Sequence, residues 1–223
     1  MISPFPGINP GAINYLPQVI FSQLMFPSAF THPCAMDSQR SSATATHNSQ
    51  FTIHKMADSQ EIHDALIREV IFRLYDESLP RIVKCLGQLD DDQIWWRPNA
   101  SSNSIGNLVL HLCGNVRQWI YSGLGAYPDG RDRQSEFDET GPIDRETLIL
   151  NLISTMELIR PVISSLSKEE LLRRRQVQTF QETGLTILIH VTEHFSYHTG
   201  QIGYITKMLL DRPLGYYGGI ALE

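Results

Sequence analysis

The sequence predicts an all-α protein built on a bundle of four helices. From Met56 onward, apolar residues recur at intervals of three and four, which is the period of an amphipathic helix. No segment sustains the two-residue alternation of a half-buried strand, so we expect no sheet. Capping residues, glycines and prolines divide the pattern into four long segments, which favours an up-and-down or once-crossed bundle.

The first predicted helix follows Asp58 or Ser59, either of which can cap its N-terminus. Glu61 then lies in the first turn, beside the positive end of the helix. Apolar residues mark the buried face as far as Leu86. Because proline lacks a backbone N–H, we expect Pro80 to kink or restart the helix.

The second predicted helix begins at Asn103 or Ser104 and extends to about Ser122, where glycines follow. Residues 123–142 then form a polar loop without a clear helical or strand pattern. Loops of that length in a compact domain are usually functional or mobile.

The third predicted helix begins near Asp144, and one of its faces carries Leu148, Leu152, Met156, Ile159 and Ile163. We expect a bend at Pro161. Ser167 and Glu170 have the spacing of a capping box, which predicts a short helix that ends at about Arg175. The fourth long helix begins after Gly184 and ends at residues 211–213.

Composition excludes several classes of function. The formal net charge is −6 and no basic patch is evident, so we expect no nucleic-acid partner. No apolar run approaches the roughly 20 residues of a membrane-spanning helix, so we expect no membrane partner. Three cysteines (Cys34, Cys85 and Cys113) form no CxxC pair, which favours a reduced, cytoplasmic location.

The first 55 residues differ from the rest of the chain. Residues 1–36 contain no charged side chain but half of the prolines. We predict that residues 1–55 are either a disordered extension or lie upstream of the true translation start, and Met56 favours the second alternative. The predicted organisation is therefore a bundle over residues 56–213 and a C-terminal tail over residues 214–223.

The last predicted helix carries three histidines spaced four residues apart: His190, His194 and His198. At about 100° of rotation per residue, His194 and His198 fall within the apolar stripe that faces the bundle interior, and His190 falls at its margin. Two imidazoles one turn apart can bind one metal ion. Phe195 occupies the position that holds the catalytic glutamate of HExxH metalloproteases, so we do not expect a protease.

A fourth histidine, His111, lies at the edge of the apolar face of the second helix, and Asn115 lies one turn further on. A histidine beside a core is often a hydrogen-bonded structural residue, and this alternative stays open for all three inward histidines. Burying neutral imidazoles without partners costs on the order of a few kcal/mol, which a bound metal would offset.

Five further residues are candidates for outer hydrogen-bond partners of the ligands or for the substrate mouth: His190, Asn115, Gln201, Trp96 and Arg97. Aromatic residues before a helix, however, more often plug the end of a bundle. An arginine at such a position more often forms a surface salt bridge than a carboxylate site.

Three segments resemble the DinB/YfiT-like superfamily of metalloenzymes: Trp96–Pro98, Ser104–His111 and Glu193–Gln201. The resemblance covers roughly residues 58–212. It implies an up-down-down-up four-helix bundle that is often a homodimer. It also implies that His111, His194 and His198 bind a divalent metal, with zinc or nickel as the usual ion.

The resemblance further implies thiol chemistry, since superfamily members include bacillithiol transferases and a mycothiol-dependent isomerase. A three-histidine site leaves an open position where a low-molecular-weight thiol can bind as thiolate. The leading hypothesis is thus a metal-dependent thiol transferase that acts on small electrophiles. The alternatives are a non-catalytic metal-binding or stress-associated bundle, and a hydrolase that activates water at the open position.

Overall fold

The computed structural model describes residues 47–217, with side chains from Asp58. The chain forms eight α-helices, two π-helical segments and one hairpin over these residues. Their order is α1 (His47–Ile71), a π-helical segment (Phe72–Ser78), α2 (Leu79–Leu86), α3 (Asp91–Trp95), α4 (Ile105–Val116), a second π-helical segment (Arg117–Ser122), α5 (Arg133–Asp138), α6 (Arg145–Ser164), α7 (Lys168–Leu172), β1 (Arg174–Val177), β2 (Phe180–Thr183) and α8 (Gly184–Leu210). Four long helical segments dominate the fold of these residues.

The start predicted for the first helix is wrong. The helix α1 begins at His47, so the predicted caps Asp58 and Ser59 are interior positions. Once a helix has nucleated, each added residue gains a hydrogen bond, and a potential cap does not stop it. Most of the predicted extension, residues 1–46, lies outside the described residues, and the alternatives for it stay predictions.

Pro80 does not break the first long helix. The π-helical segment precedes it, and the N–H of Leu79 donates to the carbonyl of Leu74, five residues back. This wider turn lets the helix continue around a residue that cannot donate a hydrogen bond. The helices α1 and α2 therefore act as one long element of the bundle.

Contacts between the helices fix their directions. The Tyr75 hydroxyl donates to the Met156 carbonyl at 2.6 Å, and His63 Nε2 lies 2.9 Å from the Leu166 carbonyl oxygen. The earlier residue of the first helix, His63, contacts the later position, Leu166, and the later residue, Tyr75, contacts the earlier position, Met156. The first helix and α6 are therefore antiparallel.

The helix α4 runs parallel to α6. Trp95 packs on Gly106 at the start of α4 and donates from Nε1 to the Ile143 carbonyl, just before α6 begins. Further along both helices, Arg117 donates to Thr155 Oγ1 at 2.9 Å. Because α4 and α6 point the same way, they form the middle pair of the bundle.

The helix α8 runs antiparallel to α4. His111 faces His194, whereas the later residue Trp119 faces the earlier residue His190. The four long elements thus have the predicted up-down-down-up arrangement, and the predicted four-helix bundle is confirmed.

The core lies between all four long elements. The predicted apolar face of α6 is fully buried at Leu148, Leu152, Met156, Ile159 and Ile163. By length and composition α6 is also long and apolar enough to cross a membrane. This corrects the expectation that no apolar segment of the described residues reaches that length. The apolar face of α6 is buried, as in the core helix of a bundle.

A short hairpin corrects the expectation that the chain has no sheet. The helix α7 ends at Leu172 rather than near Arg175, and β1 then pairs antiparallel with β2. At the N-terminus of α7, Ser167 accepts from the Glu170 N–H, as predicted. Strands of four residues are too short to establish an alternating pattern in the sequence.

The beginning of the predicted C-terminal tail packs on the bundle. Asp211 ends α8 in the left-handed conformation, and Leu214 is buried. The Tyr216 hydroxyl lies 2.9 Å from the Sγ atom of Cys85, and Lys84 contacts the Gly215 carbonyl. Residues 214–217 therefore extend the surface formed by α2 and α8.

Alanine substitutions at two glycines test this packing, because they should change the free energy of unfolding in opposite directions. A Cβ at Gly106 would lie 2.8 Å from the Trp95 ring, so Gly106→Ala should destabilise the protein by about 1–3 kcal/mol. A Cβ at Gly200 meets nothing within 4 Å, so Gly200→Ala should stabilise the protein by about 0.5–1 kcal/mol. Urea unfolding measures both changes. Equal effects of the two substitutions would contradict the close contact between α3 and α4.

Candidate metal centre

Three imidazoles converge between α4 and α8. His111 comes from α4, and His194 and His198 lie one turn apart on α8. His194 Nε2 lies 3.1 Å from His111 Nε2 and 3.1 Å from His198 Nε2. One potential ligand atom from each residue lies within 4.8 Å of the others. The structure thus brings together the three histidines that the sequence analysis grouped.

A buried ion pair orients His111. Its Nδ1 lies 2.9 Å from Glu136 Oε2, and Arg131 donates to the two carboxylate oxygens of Glu136 at 2.7 and 2.8 Å. Burial acts to raise the pKa of Glu136, but the hydrogen bonds from Arg131 and His111 outweigh it and lower the pKa. The ionised carboxylate can accept a hydrogen bond from His111 only if Nδ1 carries the proton, so the neutral ring presents the lone pair of Nε2 to the centre.

Gln201 orients His198 in the same way. The Gln201 Oε1 atom lies 2.6 Å from His198 Nδ1 and accepts its hydrogen bond. The lone pair of His198 Nε2 then also faces the centre. His194 lies between the two, and its Nδ1 is buried without a hydrogen-bond partner among the described residues.

The centre favours neutral imidazoles. Burial lowers the pKa of His194 to about 3, and the neighbouring His198 and His111 act in the same direction. Burial also lowers the pKa of His198. Neutral imidazole is the form that binds metals. Three converging imidazole nitrogens are ligands that suit a divalent ion such as zinc or nickel, so the donor set fits such an ion.

The lowered pKa values predict a pH-dependent stability for the metal-free protein. Below the ordinary pKa of 6.5, His194 takes up a proton in the unfolded chain but stays neutral in the folded one down to about 3. The free energy of unfolding should therefore fall as the pH decreases through this range. Urea unfolding at about pH 7.5 and pH 5 measures the change. The matched variant His194→Ala should show a smaller decrease, and identical pH profiles would contradict this assignment.

The histidines form one wall of an open cavity of about 970 Å³. Its other walls combine apolar and aromatic side chains from several elements, including Leu108, Phe137, Tyr197, Tyr204 and Met208. Arg133 also lines the cavity and lies 4.8 Å from the centre of the Phe137 ring. Among the described lining residues there is no carboxylate. The cavity is therefore suited to a small, largely apolar molecule beside the histidines.

Of the other predicted site residues, only Gln201 lines this cavity. The ring of His190 is tilted by 41° against that of Trp119 with 4.3 Å between the ring centres, and His190 lines a neighbouring cavity that also includes His194. Asn115 is buried, and its Oδ1 has no hydrogen-bond partner among the described residues.

Trp96 and Arg97 lie outside the walls of this cavity. Trp96 is partly exposed, whereas its neighbour Trp95 packs against the end of the bundle. Arg97 makes no surface salt bridge among the described residues. It instead donates to Asn107 Oδ1 at 2.8 Å and to the Phe137 carbonyl at 3.0 Å, and so ties α4 to α5.

The sequence analysis missed Glu136 and Arg131. Both lie in the segment predicted as a polar loop, where α5 forms after Asp132 caps it. The Asp132 cap is a readable helix signal, and the length of the loop indicated function. The pairing with His111 joins positions 25 residues apart, which no local pattern predicts.

An up-down-down-up bundle with three inward histidines is the architecture of a DinB/YfiT-like protein. The chain belongs to the family described as "Protein of unknown function (DUF1572)", whose sequence model matches residues 63–215. No curated protein matches the chain.

Two solved structures share the fold. A DinB-like protein from Bacillus cereus is 15% identical, covering 60% of this chain and 87% of the other, with a TM-score of 0.50. A conserved protein from Enterococcus faecalis is 13% identical, covering 68% of this chain and 97% of the other, with a TM-score of 0.51. At these identities the similarity establishes the fold alone.

Proposed function

We propose that the protein is a divalent-metal-dependent enzyme that transfers a low-molecular-weight thiol to a small electrophile. The observation that carries this proposal is the convergence of three Nε2 atoms at the wall of an open cavity. His111, His194 and His198 would hold zinc or nickel. The ion would supply Lewis-acid chemistry, which lowers the pKa of a thiol or of water at the open position.

The protein's own residues have separate roles in this proposal. Glu136 and Gln201 hold the Nδ1 protons of His111 and His198, which keeps both Nε2 atoms directed at the centre. Arg131 neutralises Glu136 and prevents it from acting as a free base. The apolar walls bind the body of the electrophile and exclude water from it.

The lack of a free carboxylate among the described lining residues supports thiol transfer over hydrolysis. A metal can lower the pKa of bound water to about 7, but a general base within hydrogen-bond reach usually assists the hydrolysis that follows. A thiol ordinarily has a pKa of about 8.5, so a modest decrease ionises it at neutral pH and its proton passes to solvent. The thiolate sulfur then forms a bond to the electrophilic carbon as the leaving group departs with its electron pair.

A non-catalytic metal-binding or stress-associated role is the principal alternative. Structural and storage sites usually saturate the coordination of the ion with protein ligands. Here the three histidines border a cavity of about 970 Å³, which supports access for a substrate. The open cavity is thus the feature that favours turnover over sequestration.

An activity assay separates these alternatives. Cysteine and 1-chloro-2,4-dinitrobenzene serve as the thiol and electrophile, and the product forms with release of chloride. We expect metal-dependent turnover by the zinc- or nickel-loaded protein, loss of turnover in His198→Ala, and retention in His63→Ala, whose ring binds the Leu166 carbonyl away from the centre. Bound metal without turnover across a panel of thiols and electrophiles would favour sequestration, and turnover by the metal-free protein would reject the proposal.

We further propose a cytoplasmic location and a homodimer. Cys85 and Cys113 are free and buried, which supports a reducing environment. The homodimer rests on the family resemblance. Sedimentation velocity tests it, and a monomer at micromolar concentration would contradict it.

A further inference from the structure

A second cavity, of about 410 Å³, lies between α8, residues 214–217 and the first long helix around Ser78 and Arg81. We call it the Arg81 pocket. It shares only Gly200 and Tyr204 with the histidine cavity. Its charged lining residues are Arg81 on α2 and Lys207 on α8, and none of its lining residues is acidic. The pocket therefore presents a positive surface to a ligand.

The two cations retain unused donors. Arg81 uses Nη2 to contact Glu77 Oε1 at 3.2 Å, and the other Glu77 oxygen binds Arg73 at 2.6 Å. The remaining N–H groups of Arg81 are free for another acceptor. Lys207 forms no ion pair within the described part of the chain.

A hydroxyl group in the pocket wall also makes no hydrogen bond to a described residue. Ser78 lines the pocket and is only 6% exposed, yet its hydroxyl makes no hydrogen bond to any described residue. By contrast, Thr199 in the same wall donates to the Phe195 carbonyl within its own helix. Among the described residues the fully buried side-chain atoms without a partner are Asn115 Oδ1 and His194 Nδ1, so the Ser78 hydroxyl is accessible from the pocket and can donate to a ligand.

The remaining walls are aromatic and apolar. The Arg81 guanidinium lies 5.8 Å from the centre of the Tyr216 ring and 5.7 Å from that of Tyr217, contacts that hold it in place. Leu214 completes this side of the pocket. Gly203 on α8 adjoins this side of the pocket, and its lack of a side chain leaves room for Tyr216, because a Cβ there would lie 2.9 Å from the Tyr216 hydroxyl oxygen.

We propose that the Arg81 pocket binds a small organic anion. Its phosphate or carboxylate group contacts Arg81, Lys207 and Ser78, and its apolar body packs against Tyr216 and Leu214. Bidentate arginine contacts suit both kinds of anion. This binding site goes beyond the proposed thiol transfer and does not depend on it, because it requires neither the histidines nor a metal.

Titration calorimetry on the metal-free full chain tests the site with phenyl phosphate and benzoate as probes. We expect one molecule of the preferred probe per chain, and no detectable binding of benzyl alcohol, which lacks the charge. Lys207→Gln and Arg81→Gln should each weaken binding by about tenfold or more. Arg174→Gln is the matched control, because Arg174 is exposed on β1.

Three further comparisons decide the assignment. Ser78→Ala should weaken binding without lowering stability, since the hydroxyl has no protein partner to lose. The variant His194→Ala/His198→Ala should bind the probe as the wild type does. Absence of binding, unchanged affinity in Lys207→Gln, or loss of binding in the double histidine variant would overturn the proposal. Equal affinity for inorganic phosphate and phenyl phosphate would overturn the proposal that an apolar body of the ligand packs against Tyr216 and Leu214.

Discussion

We expect His194→Ala to weaken zinc or nickel binding by more than the roughly 10–100-fold that loss of an outer hydrogen-bond partner costs. The reason is that Nε2 of His194 lies 3.1 Å from the corresponding atom of each of the other two histidines. Removing it leaves two ligands on different helices. Competition titration with a chelating dye measures the affinity.

The stability of the metal-free variant separates a metal site from a structural histidine cluster. Nδ1 of His194 is buried without a partner among the described residues, so its removal should cost the metal-free fold little. A cluster that stabilises the core would instead lose stability in His194→Ala. The control His63→Ala should keep the metal affinity of the wild type. Unchanged affinity in His194→Ala would contradict the role of this residue as a ligand.

Glu136→Gln should weaken metal binding by about 10–100-fold, because it removes the negative charge that holds the Nδ1 proton of His111. It should also destabilise the metal-free protein by roughly 3 kcal/mol, since it leaves Arg131 as a buried charge without its counter-ion. Arg131 keeps its hydrogen bond to Gln118 Oε1 at 2.9 Å, which limits the loss. Dye competition and urea unfolding measure the two effects.

A surface ion pair provides the matched control. Glu146 pairs with Arg145 at 2.6 Å, but its side chain is 66% exposed. Glu146→Gln should change stability by less than about 1 kcal/mol and leave metal affinity unchanged. If Glu136→Gln behaved like Glu146→Gln, the buried pair would have no role in orienting His111.

Local signals made much of the fold predictable from the sequence. Ser104 and Asp144 cap α4 and α6 as expected, because each side chain accepts a hydrogen bond from an N–H in the first turn. The hairpin was missed because its strands are short and because Gln178 adopts the left-handed conformation that glycine or asparagine usually signals. The start of α1 was predicted too late, because a residue that can cap a helix N-terminus, such as Asp58, can also lie inside a helix.

The sequence predicted the site residues whose position follows from the pattern of their own helix, but not the contacts between elements. Helical rotation placed His194 and His198 on the inward face of α8 and His111 at the edge of the apolar face of α4, and the family resemblance implied the same three ligands. The contact between His111 and Glu136 depends on how α5 packs against α4, which is a tertiary feature. The prediction that Arg97 forms a surface salt bridge is wrong for the same reason. Its partners are the Asn107 side-chain amide and the Phe137 carbonyl, which only the folded structure brings close.

The central claim is that His111, His194 and His198 bind one metal ion through their Nε2 atoms. Anomalous diffraction from crystals of the zinc-loaded protein tests it most directly. The expected result is one strong peak at about 2.0–2.1 Å from all three Nε2 atoms, and none in crystals of His194→Ala/His198→Ala. A peak bound elsewhere, or no peak between α4 and α8 at saturating zinc, would contradict the claim.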